Sequence, residues 1–126
     1  MSSIFVFGSN IMVFGANRQG RHGKGAALHA RVYYGAIYGQ AEGRQGNSYA
    51  IITKELRRGY PPVLLEEVRQ GVDKFLFYAY QHPELDFTIA NIGCGLAGFV
   101  PAHIAPLFKG YTPNVQLPPD WIVLAR

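Results

Sequence analysis

Short strand-like runs alternate with helical patterns along this chain, and glycine-rich loops lie between them. Ser3–Gly8 (SIFVFG), Ser48–Thr53 (SYAIIT), Asp86–Asn91 (DFTIAN) and Trp121–Leu124 are rich in β-branched and aromatic residues and read as strands. Ala27, Leu28, Val32 and Tyr33 recur at roughly helical spacing, with Gly35 as a stop. Pro61-Pro62 starts the clearest helix. Val63, Leu64, Leu65, Val68, Val72, Phe75, Leu76 and Ala79 mark its apolar face, Glu66, Glu67, Arg69, Gln70, Asp73 and Lys74 its polar one, and it ends before Pro83. Ala102–Lys109 reads as a short helix. This alternation predicts an α/β fold, with a largely parallel or mixed sheet and helices on its faces. In such sheets ligands bind beyond the carboxyl ends of the strands. The three glycine-rich loops are therefore expected on one rim.

The start of the chain holds a near-repeat. Ile4–Asn10 is IFVFGSN and Ile11–Asn17 is IMVFGAN, identical at five of seven positions. The copies either pair as a hairpin across Gly8-Ser9-Asn10, or one is an extra segment lying over the site.

With 126 residues, 48% apolar and 16% charged, the chain is expected to form a single domain over 1–126 that needs no disulfide. Charges interrupt every apolar run before the ~18–20 residues of a membrane span. The N-terminal MSSIFVFGSN lacks the basic start of a signal peptide. Cys94 is the single cysteine, which excludes an intramolecular disulfide and a cysteine-rich metal site and fits a reducing cytoplasm. His22, His29, His82 and His103 fall at no metal-ligand spacing, so no metal is expected.

Charge is divided unequally. Residues 1–58 hold eight Lys/Arg and two acids, whereas residues 59–126 hold four bases and six acids. The basic half is also the glycine-rich half, which suggests a phosphate-bearing partner.

Three segments could carry chemistry. Arg21–Ala27 (RHGKGAA) leads glycines into a helix start, where exposed N–H groups and the helix dipole favour an anion and Lys24 adds a point charge. It is not a Walker A sequence. Gly39–Tyr49 is a glycine loop able to approach a ligand or simply to stay mobile. Gly93–Phe99 (GCGLAGF) places three glycines between a strand and a helix, a pattern that builds a backbone nest for phosphate. Cys94 there reads as a small buried thiol before it reads as a nucleophile.

With that last motif in view, the chain resembles a macro domain, a fold that binds ADP-ribose with two glycine-rich loops. It is most similar to the branch of terminal ADP-ribose protein glycohydrolases and bacterial DNA-ADP-ribose antitoxins. The matching stretches are Gly23-Lys24-Gly25, Ile52-Thr53-Lys54 and Ile92-Gly93-Cys94-Gly95-Leu96-Ala97, in the branch's order. It also looks like a family of uncharacterised phage and bacterial macro-like proteins, and the resemblance covers residues 4–108. Two departures stand out. Lys24 occupies a position where a small residue is usual, and Ala97 replaces the branch's Asp.

The resemblance implies a three-layer, macro-domain-like α/β fold with helices on both faces of a mixed sheet. It implies recognition of ADP-ribose or an NAD-derived nucleotide, with no further cofactor. Gly23, Lys24, Gly25 and Gly93, Cys94, Gly95, Leu96, Ala97 and Gly98 would hold the diphosphate, and Phe99 would pack on the distal ribose. His22 and Ser48 join the ligand-binding set. Asn10 or Asn17, with Thr53 and Lys54, would face the ribose C1″ end. Lys54 stands where the branch has its nucleophilic lysine, so an ADP-ribosyl hydrolase is the first alternative, slowed by the missing carboxylate. A basic nucleic-acid-binding module is the second. An association with phage or bacterial NAD-based defence follows from resemblance alone.

Overall fold

The computed structural model describes residues 10–93 and 98–126. The chain forms an α/β fold with a five-stranded mixed sheet. Strand β1 spans Asn10–Asn17, helix α1 Gly25–Tyr33, β2 Gly43–Gln45 and β3 Ser48–Lys54. Helix α2 spans Leu65–Gln81, β4 Asp86–Ile89, α3 Pro101–Ile104 and β5 Val115–Gln116. Short 3₁₀ helices follow α3 at Ala105–Phe108 and β5 at Pro119–Trp121. The strand order is β2-β3-β1-β4-β5, parallel throughout except for the antiparallel edge strand β2.

β1 lies at the centre, and connection handedness explains the layers. The chain leaves β1 through α1 to reach β3 on one side. It then returns through α2, past β1, to β4 on the other side. Right-handed crossovers running in opposite directions put their helices on opposite faces. Alternation along β1 follows: Ile11 and Val13 enter the core under α2, whereas Met12, Phe14 and Ala16 face α1.

The α2 face is deep. Val68, Val72, Phe75 and Ala79 of α2 pack on Ile51, Phe87 and Ile89, and Phe108 and Trp121 close the layer. Phe75 sits edge-on to Tyr49 and Phe87, each 5.2 Å away between ring centroids. The α1 face is thin and built mostly of alanine: Ala27, Ala30 and Ala36 against Phe14, Ala16 and Ala50.

Several expectations need correction. Both edges of Met12 and Val13 are taken, by β3 and by β4, so no hairpin partner can pair there. The second copy of the repeat supplies the central strand; the strand expected at Ser3–Gly8 lies outside the described residues. Trp121–Leu124 is not a strand. Pro118-Pro119 start a 3₁₀ turn that buries Trp121, and the final strand is Val115–Gln116. The glycine loop expected at Gly39–Tyr49 contains β2, which pairs with β3 across Gly46-Asn47. The long helix begins at Leu65, because Leu64 before it is extended and caps the helix: its N–H is taken by Glu67 at 3.3 Å, while upstream Pro61 O accepts from Arg18 at 2.7 Å. Ala102–Lys109 divides into α3 and a 3₁₀ turn.

Candidate functional site

β1 and β4 are adjacent parallel strands whose following connections lie on opposite faces of the sheet: α1 on one, α3 and its 3₁₀ turn on the other. Beyond the carboxyl ends of two such strands no connection closes the gap, and a crevice forms. A cleft of about 690 Å³ opens there, within the range of small-molecule sites. Its walls come from Gly15–Asn17 at the end of β1, Thr53 and Lys54 at the end of β3, Asn91 and Gly93 after β4, and Gly23–Ala27 at the start of α1.

Close backbone approach forms the floor. A Cβ on Gly15 would stand 3.0 Å from Thr53 Oγ1 and 3.3 Å from the Gly93 nitrogen, so a side chain there would have to push these neighbours apart, and glycine lets the three strand ends lie close. Gly93 has a φ of +76°, and a Cβ there would meet the Phe99 ring at 3.2 Å.

The loop from β1 to α1 is braced at two points. Asn17 Nδ2 donates to Arg21 O, and Asn17 Oδ1 accepts from the Arg21 N–H, both at 2.9 Å. Beneath it His22 is fully buried, edge-on to Phe14 at 5.2 Å. Its Nε2 lies 3.0 Å from Gln40 O and 3.2 Å from Gln45 Oε1. Both are acceptors, because Gln45 Oε1 also takes the Ile37 N–H at 2.7 Å, so Nε2 carries the ring proton. At α1, Lys24 is the N-cap residue with no side-chain cap, and no acid occupies the first turn. Its first N–H groups have no intrahelical partner and border the cleft.

The electrostatics of the cleft are one-sided. Arg21, Lys24 and Lys54 line it, and among the described residues no carboxylate does. None of these three side chains has a hydrogen-bond or ion-pair partner among the described residues. The neighbouring acid is already committed. Glu55, its side chain 2% exposed, receives Arg57 at 3.1 Å, Arg18 at 3.0 Å and Gln19 at 2.6 Å. The Arg57 guanidinium first, with Arg18 and Gln19, holds the Glu55 carboxyl well below the usual carboxylate range. Arg18 also forks onto both Glu67 oxygens at 2.7 Å, tying the β1 end to α2 and lowering the Glu67 pKa.

The residues singled out from sequence therefore separate. Asn17, Gly23, Lys24, Gly25, Thr53, Lys54 and Gly93 come together around the cleft. Asn10 does not: it begins β1, seven residues and about 23 Å of strand from Asn17, and accepts from Thr88 Oγ1 at 3.1 Å. Ser48 begins β3 at that same far end, its hydroxyl donating to Gln45 O at 2.6 Å. His22 supports the loop from below and is not among the lining residues. Phe99 packs on the main core, its N–H donating to Gly93 O at 2.8 Å, and Gly98 is exposed beside it. Cys94, Gly95, Leu96 and Ala97 lie outside the described residues. Of the three glycine loops, the one after β1 and the first residue of the one after β4, Gly93, reach the rim; Gly39–Tyr49 leads into the opposite end of β3 and braces the first loop through Gln40 and Gln45. Outside the segments singled out, sequence reasoning missed Gly15, Ala16, Leu56 and Asn91 as lining residues. Asn91 had a signal: it ends a strand-like run directly before a glycine loop.

No family model matches the chain, and no curated protein matches it. A solved structure of a protein of unknown function from Bacteroides thetaiotaomicron is similar, with 19% identity over 87% of each chain and a TM-score of 0.60. At that identity the likeness shows the fold alone. Among the described residues no helix is long and apolar enough to cross a membrane.

Proposed function

We propose that the cleft binds ADP-ribose or a related NAD-derived nucleotide, as the macro-domain resemblance implies. The observation that carries this reading is the cleft itself: a crevice at the carboxyl ends of β1, β3 and β4 with glycine backbone for a floor, a helix start at one wall, and three unpaired cations. Backbone N–H groups and unpaired Lys or Arg favour a diphosphate. Lys54 is the one lining amine at the end of β3, beside Thr53. A carboxylate to exchange protons with a ribosyl leaving group is absent from the described lining, which favours binding over hydrolysis.

Isothermal titration with ADP-ribose tests the reading. Saturation at about 100 times the dissociation constant should stabilise the fold by roughly 2.7 kcal/mol, and Gly15→Val should abolish binding by filling the floor. A shallow salt dependence, that of a single diphosphate, supports a small-molecule ligand; steep salt dependence together with tight binding to DNA would replace it with a nucleic-acid surface. Absence of heat with every ADP-ribosyl compound at millimolar protein ends the proposal.

A further inference from the structure

We propose that Asn91 reads the uncharged part of the ligand, and so sets which way a nucleotide lies across the sheet; this rests on the nucleotide reading above. Among the described residues six polar side chains line the cleft: Asn17, Arg21, Lys24, Thr53, Lys54 and Asn91. Asn17 has both amide atoms engaged by the Arg21 backbone at 2.9 Å, which makes it a brace for the loop. Thr53 is 5% exposed, and its hydroxyl donates to Ala16 O at 3.4 Å. Arg21, Lys24 and Lys54 are donors only. Asn91 is exposed and makes no side-chain hydrogen bond among the described residues. Among the described residues it is therefore the one exposed and uncommitted lining group that offers an acceptor together with donors.

Its position gives the orientation. Asn91 follows β4, on one side of β1, whereas Lys54 ends β3 on the other and Lys24 starts α1. A ligand with charged and neutral parts is thus sorted across the end of β1. Its phosphates lie toward β3 and α1, and a neutral donor–acceptor group lies toward β4. A purine edge and a ribose diol share that chemistry, since a carboxamide pairs with either through one N–H and one oxygen.

Dissociation constants of the full chain for inorganic pyrophosphate, ADP and ADP-ribose, with wild type, Asn91→Ala and Lys24→Ala, test this. Asn91→Ala should leave pyrophosphate within twofold and weaken a nucleotide by about three- to tenfold, the size of one neutral hydrogen bond. Weakening already present with ADP places the adenosine over β4; weakening confined to ADP-ribose places the distal ribose there. Lys24→Ala should weaken all three. Equal affinities for Asn91→Ala and wild type overturn the inference while leaving the nucleotide reading intact, and so does a uniform loss that includes pyrophosphate. Wild type that binds none of the three overturns both. An unchanged unfolding midpoint of Asn91→Ala, expected for an exposed side chain, confirms that the variant is folded.

Discussion

The two faces of the sheet do different work. Under α2 the layer is filled with large side chains, Phe75, Phe87, Phe108 and Trp121 among them, all fully buried. Under α1 the apolar contacts are Ala27, Ala30, Ala36, Ala16 and Ala50, with Phe14 the one large apolar side chain of that cluster that is fully buried. Burial of large apolar side chains supplies most stabilisation. Small side chains supply little, but they let a helix lie close to a strand. The α1 face therefore brings a helix start against the end of β1, and the α2 face holds the sheet that carries it. Even the outer surface of α1 shows this, since Val32 and Tyr33 are 60% and 71% exposed and contribute little packing.

The sharpest way to break the comparison is Phe75→Ala. Its ring packs on Tyr49, Phe87 and Phe108, so the cavity should cost about 3–5 kcal/mol, read as a lower urea midpoint. A loss below about 1 kcal/mol would show that the α2 face is not the main source of stability. Next comes Ala30→Leu, at a fully buried position of the thin face. Overpacking there should cost about 1–3 kcal/mol. Because it pushes α1 off β1, it should also weaken ADP-ribose binding under conditions where the protein stays folded. An unchanged affinity would detach the α1 start from the site.

Titration separates the same two regions. Burial first, then the nearby Glu42 and Tyr78, pushes the Tyr49 hydroxyl up to about 12. The unfolded tyrosine loses its proton near pH 10, so this contribution is full below about pH 10 and is lost as pH rises toward 12. Glu55, beside the cleft, behaves oppositely. Its folded pKa lies below the unfolded value of about 4.3, so its contribution is present above that pH and lost as pH falls. Thermal unfolding across pH should show both limbs, with Tyr49→Phe flattening the alkaline one and Glu55→Gln the acid one. The smallest effect concerns the repeat. Deleting residues 2–8 should leave a folded protein, because Ile11–Asn17 already fill the central strand; circular dichroism of the truncated chain checks this, and an unfolded product would make the first copy essential.

Local pattern made much of the fold legible. The 3.6-residue period of Val68, Val72, Phe75 and Ala79 marked α2, and the β-branched runs marked β3 and β4, because each element buries one face and its sequence repeats with that face. Glycine before α1 and after β4 pointed to the rim. Elements without such a period were missed. Gly43–Gln45 is an edge strand fixed by pairing to β3 and by the buried Gln45 side chain, and neither is local. Trp121–Leu124 has strand-forming residues, but Trp121 packs 5.8 Å from Phe108 between ring centroids and the prolines before it start a turn.

The sequence by itself determined the α/β class, the position of the main helix and of β3 and β4, and a basic, glycine-rich first half, since all of these repeat or accumulate along the chain. Tertiary structure decided the rest. The two seven-residue copies share five residues, so only pairing on both edges, with Asn17 bound to Arg21, showed the second in the central slot. His22 and Asn91 exchanged importance for the same reason. Whether a polar side chain is spent inside the protein or left free in a cleft depends on its three-dimensional neighbours: Gln40 and Gln45 take up His22, while Asn91 keeps its amide free.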